Sequence, residues 1–261
     1  MTWNVKTGGR DRGGADRLGA IVAVTERERP DILALQELRG FDAERIAAFG
    51  MDAHLVRSVF GQPVAVLVRP PLRISRRAAV RWRLHHAAAV VTVGTAAGPL
   101  TVVGTHLNPF SPERRRREAV WLAARYASPG GCRRGRAAGL VALAGDLNTL
   151  EPDTDHAERL ARLAPAYRHR HLAADGTADT RAIAALTGSG GLVDLWAVAG
   201  EGDGVTAPTT GGGGAEFSGM RLDYVLGSPP LAARARRARV VRGGPAEDAS
   251  DHYPVVVDLD L

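Results

Sequence analysis

The chain has 261 residues, 45% hydrophobic and 24% charged, a soluble-globular composition that excludes a collagen-like, fibrous or wholly disordered protein. That length suits one α/β domain with a single core, so residues 1–261 are read as one unit. The 34 basic residues outnumber the 28 acidic ones by 6, and the pI near 10.3 favours anionic partners such as nucleic acid or phosphorylated small molecules.

Nearly all the basic residues are arginine (Lys6 is the one lysine), a bias that a GC-rich coding sequence also produces. No run approaches the ~18 apolar residues of a membrane span, and the opening residues lack a signal-peptide core. The single cysteine, Cys132, has no partner for a disulfide or a thiolate metal cage. A monomer in a reducing cytoplasm is the expectation.

In chain order, apolar positions Leu18, Ile21, Val22 and Val24 predict a helix over 15–27, stopped by Pro30. Apolar runs at 31–35, 64–68, 87–93, 100–104, 140–144, 222–226 and 255–259 read as buried strands by their length and their Val, Ile and Leu content. Ser111 and Pro112 supply an N-cap and a first-turn proline for a helix over 113–126. The stretch 200–219, with Gly211–Gly214 and no apolar period, reads as a long mobile Gly-rich loop. The pattern is a single α/β domain with mixed strand pairing and no internal repeat.

Polar residues gather at the strand ends. The run ending Leu35-Gln36 leads into Glu37, Gly104-Thr105 into His106, and Ala144-Gly145 into Asp146-Leu147-Asn148. Arg221-Leu222-Asp223-Tyr224 opens one strand, and Ser250-Asp251-His252 precedes another. Strands sharing a sheet bring such ends to one edge, where open α/β sheets hold ligands. Each fragment alone has an ordinary structural explanation: Gly-Asp-x-Asn is a common turn, and a Glu after a strand is commonly a solvated cap. The ordered set carries the information.

Thr2-Trp3-Asn4, Leu35-Gln36-Glu37, Thr105-His106-Leu107, Gly145-Asp146-Leu147-Asn148, Arg221-Leu222-Asp223-Tyr224 and Ser250-Asp251-His252 resemble, in order, the elements of the endonuclease/exonuclease/phosphatase superfamily of deoxyribonuclease I-like phosphohydrolases. The resemblance runs from residue 2 to about 259 and implies a four-layer α/β (α+β) sandwich, two packed mixed β-sheets flanked by helices. It implies hydrolysis of phosphoesters with Mg²⁺, or Mn²⁺ as substitute, an ion that prefers oxygen ligands and few carboxylates.

On the same resemblance, Glu37, Asn4 and Asp251 hold or orient the metal, and Asp146 is the general base or water-orienting carboxylate. Asn148 donates to a phosphate oxygen, and His252, steadied by Asp223, stabilises the phosphoryl group. His106 is a second phosphate contact or an acid near the leaving group, and Arg221 and Asn108 bind substrate.

No subfamily signature is complete. Lys6 stands where some nucleases of the superfamily carry an acid. Leu38-Arg39 replaces the Thr-Lys of abasic-site endonucleases, and 219–223 lacks the Trp-Cys-Asp-Arg of inositol-polyphosphate phosphatases. The arginine clusters within 76–83, 114–117, 133–136 and 234–239 favour a nuclease on DNA or RNA. A phosphatase or phosphodiesterase on a phosphorylated metabolite or lipid head group is the alternative. Retention of the whole acidic and histidine set argues against an inactive binding module.

Overall fold

The computed structural model describes residues 1–11, 14–127 and 139–261, so Cys132 and the arginines at 133–136 lie outside the described residues. In chain order the strands are β1 (Thr2–Asn4), β2 (Ile32–Gln36), β3 (Asp52–Val56), β4 (Val64–Val68), β5 (Ile74–Val80), β6 (Ala88–Thr95) and β7 (Gly98–His106). They continue with β8 (Leu140–Asp146), β9 (Val193–Asp194), β10 (Gly200–Glu201), β11 (Asp223–Gly227), β12 (Ala235–Val240) and β13 (Val255–Leu259). One sheet has the order β10-β12-β13-β1-β2-β4-β3 and the other β5-β6-β7-β8-β11-β9. Both are mixed: β1–β2 and β7–β8 run parallel, while β1–β13 and β8–β11 run antiparallel.

The sheets stack face to face, with Ala34, Val66 and Val68 of one meeting Ala89, Val91, Val102 and Ala142 of the other. Alternate residues point outward. Leu33, Leu35 and Leu67 lie under Ile21 and Val24 of the helix Leu18–Glu28. Val103, Leu143 and Leu226 lie under Ala119 and Leu122 of the helix Pro112–Leu122. The result is helix, sheet, sheet, helix, as the resemblance implies. Strands covered on both faces need apolar residues at every position, which is why they appear as unbroken runs. At Gly104 a Cβ would stand 2.6 Å from Val66 Cγ2, so only glycine lets the sheets approach there.

All seven apolar runs coincide with strands, β2, β4, β6, β7, β8, β11 and β13. Of the six strands outside those runs, β1, β9 and β10 have only two or three residues, and β3, β5 and β12 lie at or next to sheet edges and carry charges. Five successive residues of β5 are exposed, and Arg77 pairs with Asp52 of β3 at 2.7 Å. Charged residues on an edge suppress pairing between chains but hide the alternation. The Ser111 hydroxyl accepts from Arg114 N as the N-cap reading requires, and the helix passes at Ala123 into one wider turn, Ala123–Ala127.

The segment 200–219 is held more closely than a free loop. Gly200–Glu201 pairs with β12, Ala207 bridges to Met220, and Thr209 Oγ1 donates to Ser250 O at 2.6 Å. Two arginine clusters also differ from expectation. Arg236, Arg237 and Arg239 on β12 pair with Asp260, Glu201 and Glu28, each within 2.7 Å, so their charge is already neutralised. Within 114–117, Arg115 is buried, while Arg116 and Arg117 pair with Glu113. Among the described residues no helix is long and apolar enough to cross a membrane.

Candidate active site

Strand register brings the chemistry together. His106 at the end of β7 lies beside Asp146 at the end of β8, which in turn lies opposite Asp223 at the start of β11. Asn4 ends β1 beside Gln36, and β13, antiparallel to β1, delivers Asp251 and His252 to the same edge. Gly145 permits the close β7–β8 approach that aims Asp146, because a Cβ there would fall 1.8 Å from Thr105 O. Glu37 and Asn148 hold left-handed backbone, φ 61° and 51°, a conformation that costs non-glycine residues free energy and clusters at working sites.

These side chains line a cleft of about 520 Å³ that takes in Asn4, Glu37, His106, Asp146, Asn148, Asp251 and His252. Asp223 stands behind His252, buried, with Oδ2 2.7 Å from the ring's Nδ1. The other ring nitrogen of His252, Nε2, faces Asp146 Oδ2 at 3.8 Å. Burial opposes the imidazolium charge, but Asp223 and Asp146 outweigh it and hold the His252 pKa well above its usual value. Burial pushes Asp146 up to about 7, with Asp223 adding to the rise and His252 opposing it. His106 is driven down to about 3 by burial and the neighbouring His252 charge, so its ring is uncharged.

Two asparagines are tied into the site. Asn4 donates to Glu37 Oε1 at 3.2 Å and Asp146 Oδ2 at 3.0 Å, and its Oδ1 accepts from Lys6 N. It orients the carboxylates, and the second lone pair of Oδ1 is left over. Asn148 spends its amide hydrogens on His106 Nε2 and Leu107 O, so donation to a phosphate oxygen requires releasing one of them. Arg221 and Asn108 do not line the cleft. Arg221 pairs with Asp194 at 2.7 Å over the Tyr224 ring, and Asn108 Oδ1 accepts from Phe110 N and Ser111 N in the turn before the helix.

Residues that the sequence reading passed over also line the cleft. His86 stacks on His106 with ring centres 3.9 Å apart, and His171 lies nearby. Both are buried, and burial pushes them down to about 2 and about 3, so they are uncharged. Phe217 meets the His252 ring edge-on at 5.2 Å.

The donor set fits a hard divalent cation. Buried Asp251 has its pKa raised by burial, with the Glu37 charge adding to the rise, so two carboxylates crowd a place where a cation relieves their repulsion. Lys6 Nζ, 3.6 Å from Asp251 Oδ2, supplies part of that charge. Ligand atoms of Asp146, Asp223 and His252 also cluster within 4.8 Å, but the His252–Asp223 hydrogen bond accounts for them. An ion would be held by Glu37 and Asp251, with Asn4 orienting Glu37.

The family model described as Endonuclease/Exonuclease/phosphatase family matches residues 1–252, and the chain belongs to that family of metal-dependent phosphoester hydrolases. Solved structures agree on the fold. An endonuclease/exonuclease/phosphatase family protein from Leptotrichia buccalis has 17% identity and TM-score 0.67, over 100% of this chain and 98% of that one. Truncated TDP2 of Caenorhabditis elegans has 16% identity and TM-score 0.68, over 97% of this chain and 93% of that one. A mannosyl-6-phosphatase of Bacteroides thetaiotaomicron has 16% identity and TM-score 0.67, over 100% and 98%. No curated protein matches the sequence.

Proposed function

We propose that the protein is a Mg²⁺-dependent phosphodiesterase that cleaves nucleic acid, DNA or RNA. The supporting observation is a set of cations at the cleft and beside it. Arg39 and Arg170 line the cleft, Arg83 and Arg114 line the adjoining surface, and none has a carboxylate partner among the described residues. Several unpaired guanidinium groups suit a ligand with several phosphates better than a monomer with one.

A divalent cation held by Glu37 and Asp251 would supply positive charge against the phosphate. Asp146 takes a proton from the attacking water, a task suited to a carboxylate raised to about 7. His252, kept charged by Asp223, stabilises the phosphoryl oxygens through Nε2. His106 and Asn148 fix the position of Asp146 and of one another, through contacts of 3.4 Å and 2.9 Å.

An activity panel tests this reading: plasmid DNA, single-stranded DNA, RNA and simple phosphomono- and phosphodiesters, each with Mg²⁺, Mn²⁺ or EDTA. Nucleic-acid cleavage that EDTA abolishes is expected. Phosphate release from monoesters, unaffected by competing DNA, would instead establish a small-molecule phosphatase, the reading that the mannosyl-6-phosphatase likeness favours. Absence of hydrolysis in every arm would leave a binding module.

A further inference from the structure

Beside the cleft the surface opens into a second hollow of about 590 Å³, and Phe60 and His85 line both. Its walls carry Trp82 and Trp121, and its rim Arg83 and Arg114. Of the chain's 13 Trp, Tyr and Phe residues, five are buried, five half-buried and three exposed. The three most exposed large hydrophobic side chains among the described residues are Trp82 (74%), Phe60 (68%) and Phe110 (54%). All three belong to this hollow or to the cleft edge that it joins. A concentration of uncovered apolar area at one place on a protein marks a binding surface.

The platform is anchored beside the cleft. Trp82 projects from the connection between β5 and β6, which is tied down at its far end. Ser58 Oγ donates to His85 O and His86 O, and buried Glu118 accepts from both His85 N at 2.6 Å and Asn108 N at 2.7 Å. The same anchors therefore hold one wall of the cleft and the floor of the hollow.

Flat apolar faces beside unpaired guanidinium groups fit one ligand chemistry well: a nucleobase whose faces are free, flanked by backbone phosphates. A base inside a duplex has its faces already stacked. We propose, building on the nucleic-acid reading above, that this hollow is a base-stacking subsite. It takes an unpaired base next to the scissile phosphate and directs the enzyme to single-stranded or frayed substrates.

Anisotropy titrations in EDTA, where nothing is cleaved, test the subsite. The probes are a labelled oligo-deoxythymidine or oligo-uridine strand, and an abasic strand of the same length that keeps the phosphates. The native chain should bind the base-bearing strand more tightly. Trp82→Ala, at a side chain that is 74% exposed, should weaken that binding by about 5- to 150-fold and leave the abasic strand almost unaffected. Trp82→Phe should restore most of the loss. If native chain and Trp82→Ala bind both strands alike, the subsite is wrong and the nuclease reading stands. If the native chain binds neither strand and cleaves no nucleic acid with Mg²⁺, both fall together.

Discussion

At His252 two carboxylates decide the charge of one imidazole, and the ring's usefulness depends on both. His252→Ala should slow hydrolysis by about 10²–10⁴-fold, the range for losing a positioned acid or base group. Asp223→Asn should lose much of the same factor, because the ring then has neither its tautomer nor its charge held. The double variant should be scarcely worse than His252→Ala, since residues acting as a unit are lost together. Rates that multiply would show that Asp223 does not act through His252. Glu37 offers a second test. Its oxygens accept from Asn4 Nδ2 and Thr7 N, so Glu37→Gln keeps the side chain's size but loses its charge and one of those acceptors, and should weaken Mg²⁺ binding by about tenfold or more in calorimetry. Unchanged affinity would remove Glu37 from the metal site.

Most of the cleft was legible at this scale because Glu37, His106 and Asp146 sit where apolar runs end. His86 was not, for a definite reason. It precedes β6, and β6 runs antiparallel to β7, so the beginning of one strand meets the end of the other. A rule that looks only at strand ends overlooks such residues. Arg221, read as a substrate contact, is paired with Asp194 outside the cleft, while Asn108 caps the turn before the helix and lines the adjoining hollow.

Among the elements, the helix Pro112–Leu122 does more than cover a sheet, since its Glu118 anchors the connection that carries Trp82 and His85. Burial raises the Glu118 pKa from 4.5 to about 7. The folded chain therefore binds more proton than the unfolded one between those values, so stability falls as pH rises through them, by at most about 1.4 kcal/mol per unit. Glu118→Gln lacks that contribution. The unfolding free energy of the variant, relative to the native chain, should improve between roughly pH 5 and pH 7 in urea titrations. A constant difference would show that Glu118 does not titrate there. The doubly covered strands were evident from sequence because their composition is uniform, whereas the exposed, arginine-rich β5 and β12 follow no simple period.

For the whole molecule, net charge was a weaker guide than its pairing. Many arginines spend their charge on neighbouring acids, and the carboxylate-free ones include Arg39, Arg83, Arg114 and Arg170 at or beside the cleft. Replacing Arg83 and Arg114 together by Gln should flatten the log–log dependence of nucleic-acid binding on salt by about 0.7 per lost contact on single strands. An unchanged slope would mean that neither touches phosphate. The two-sheet construction has another outcome. Asp223 and Asp146 belong to one sheet, while His252 and Glu37 adjoin strands of the other. A chain caught part-way through folding, with a single sheet assembled, holds no competent imidazole and is harmless to the phosphoesters around it. The dyad is thus a product of the completed sandwich and of neither sheet alone.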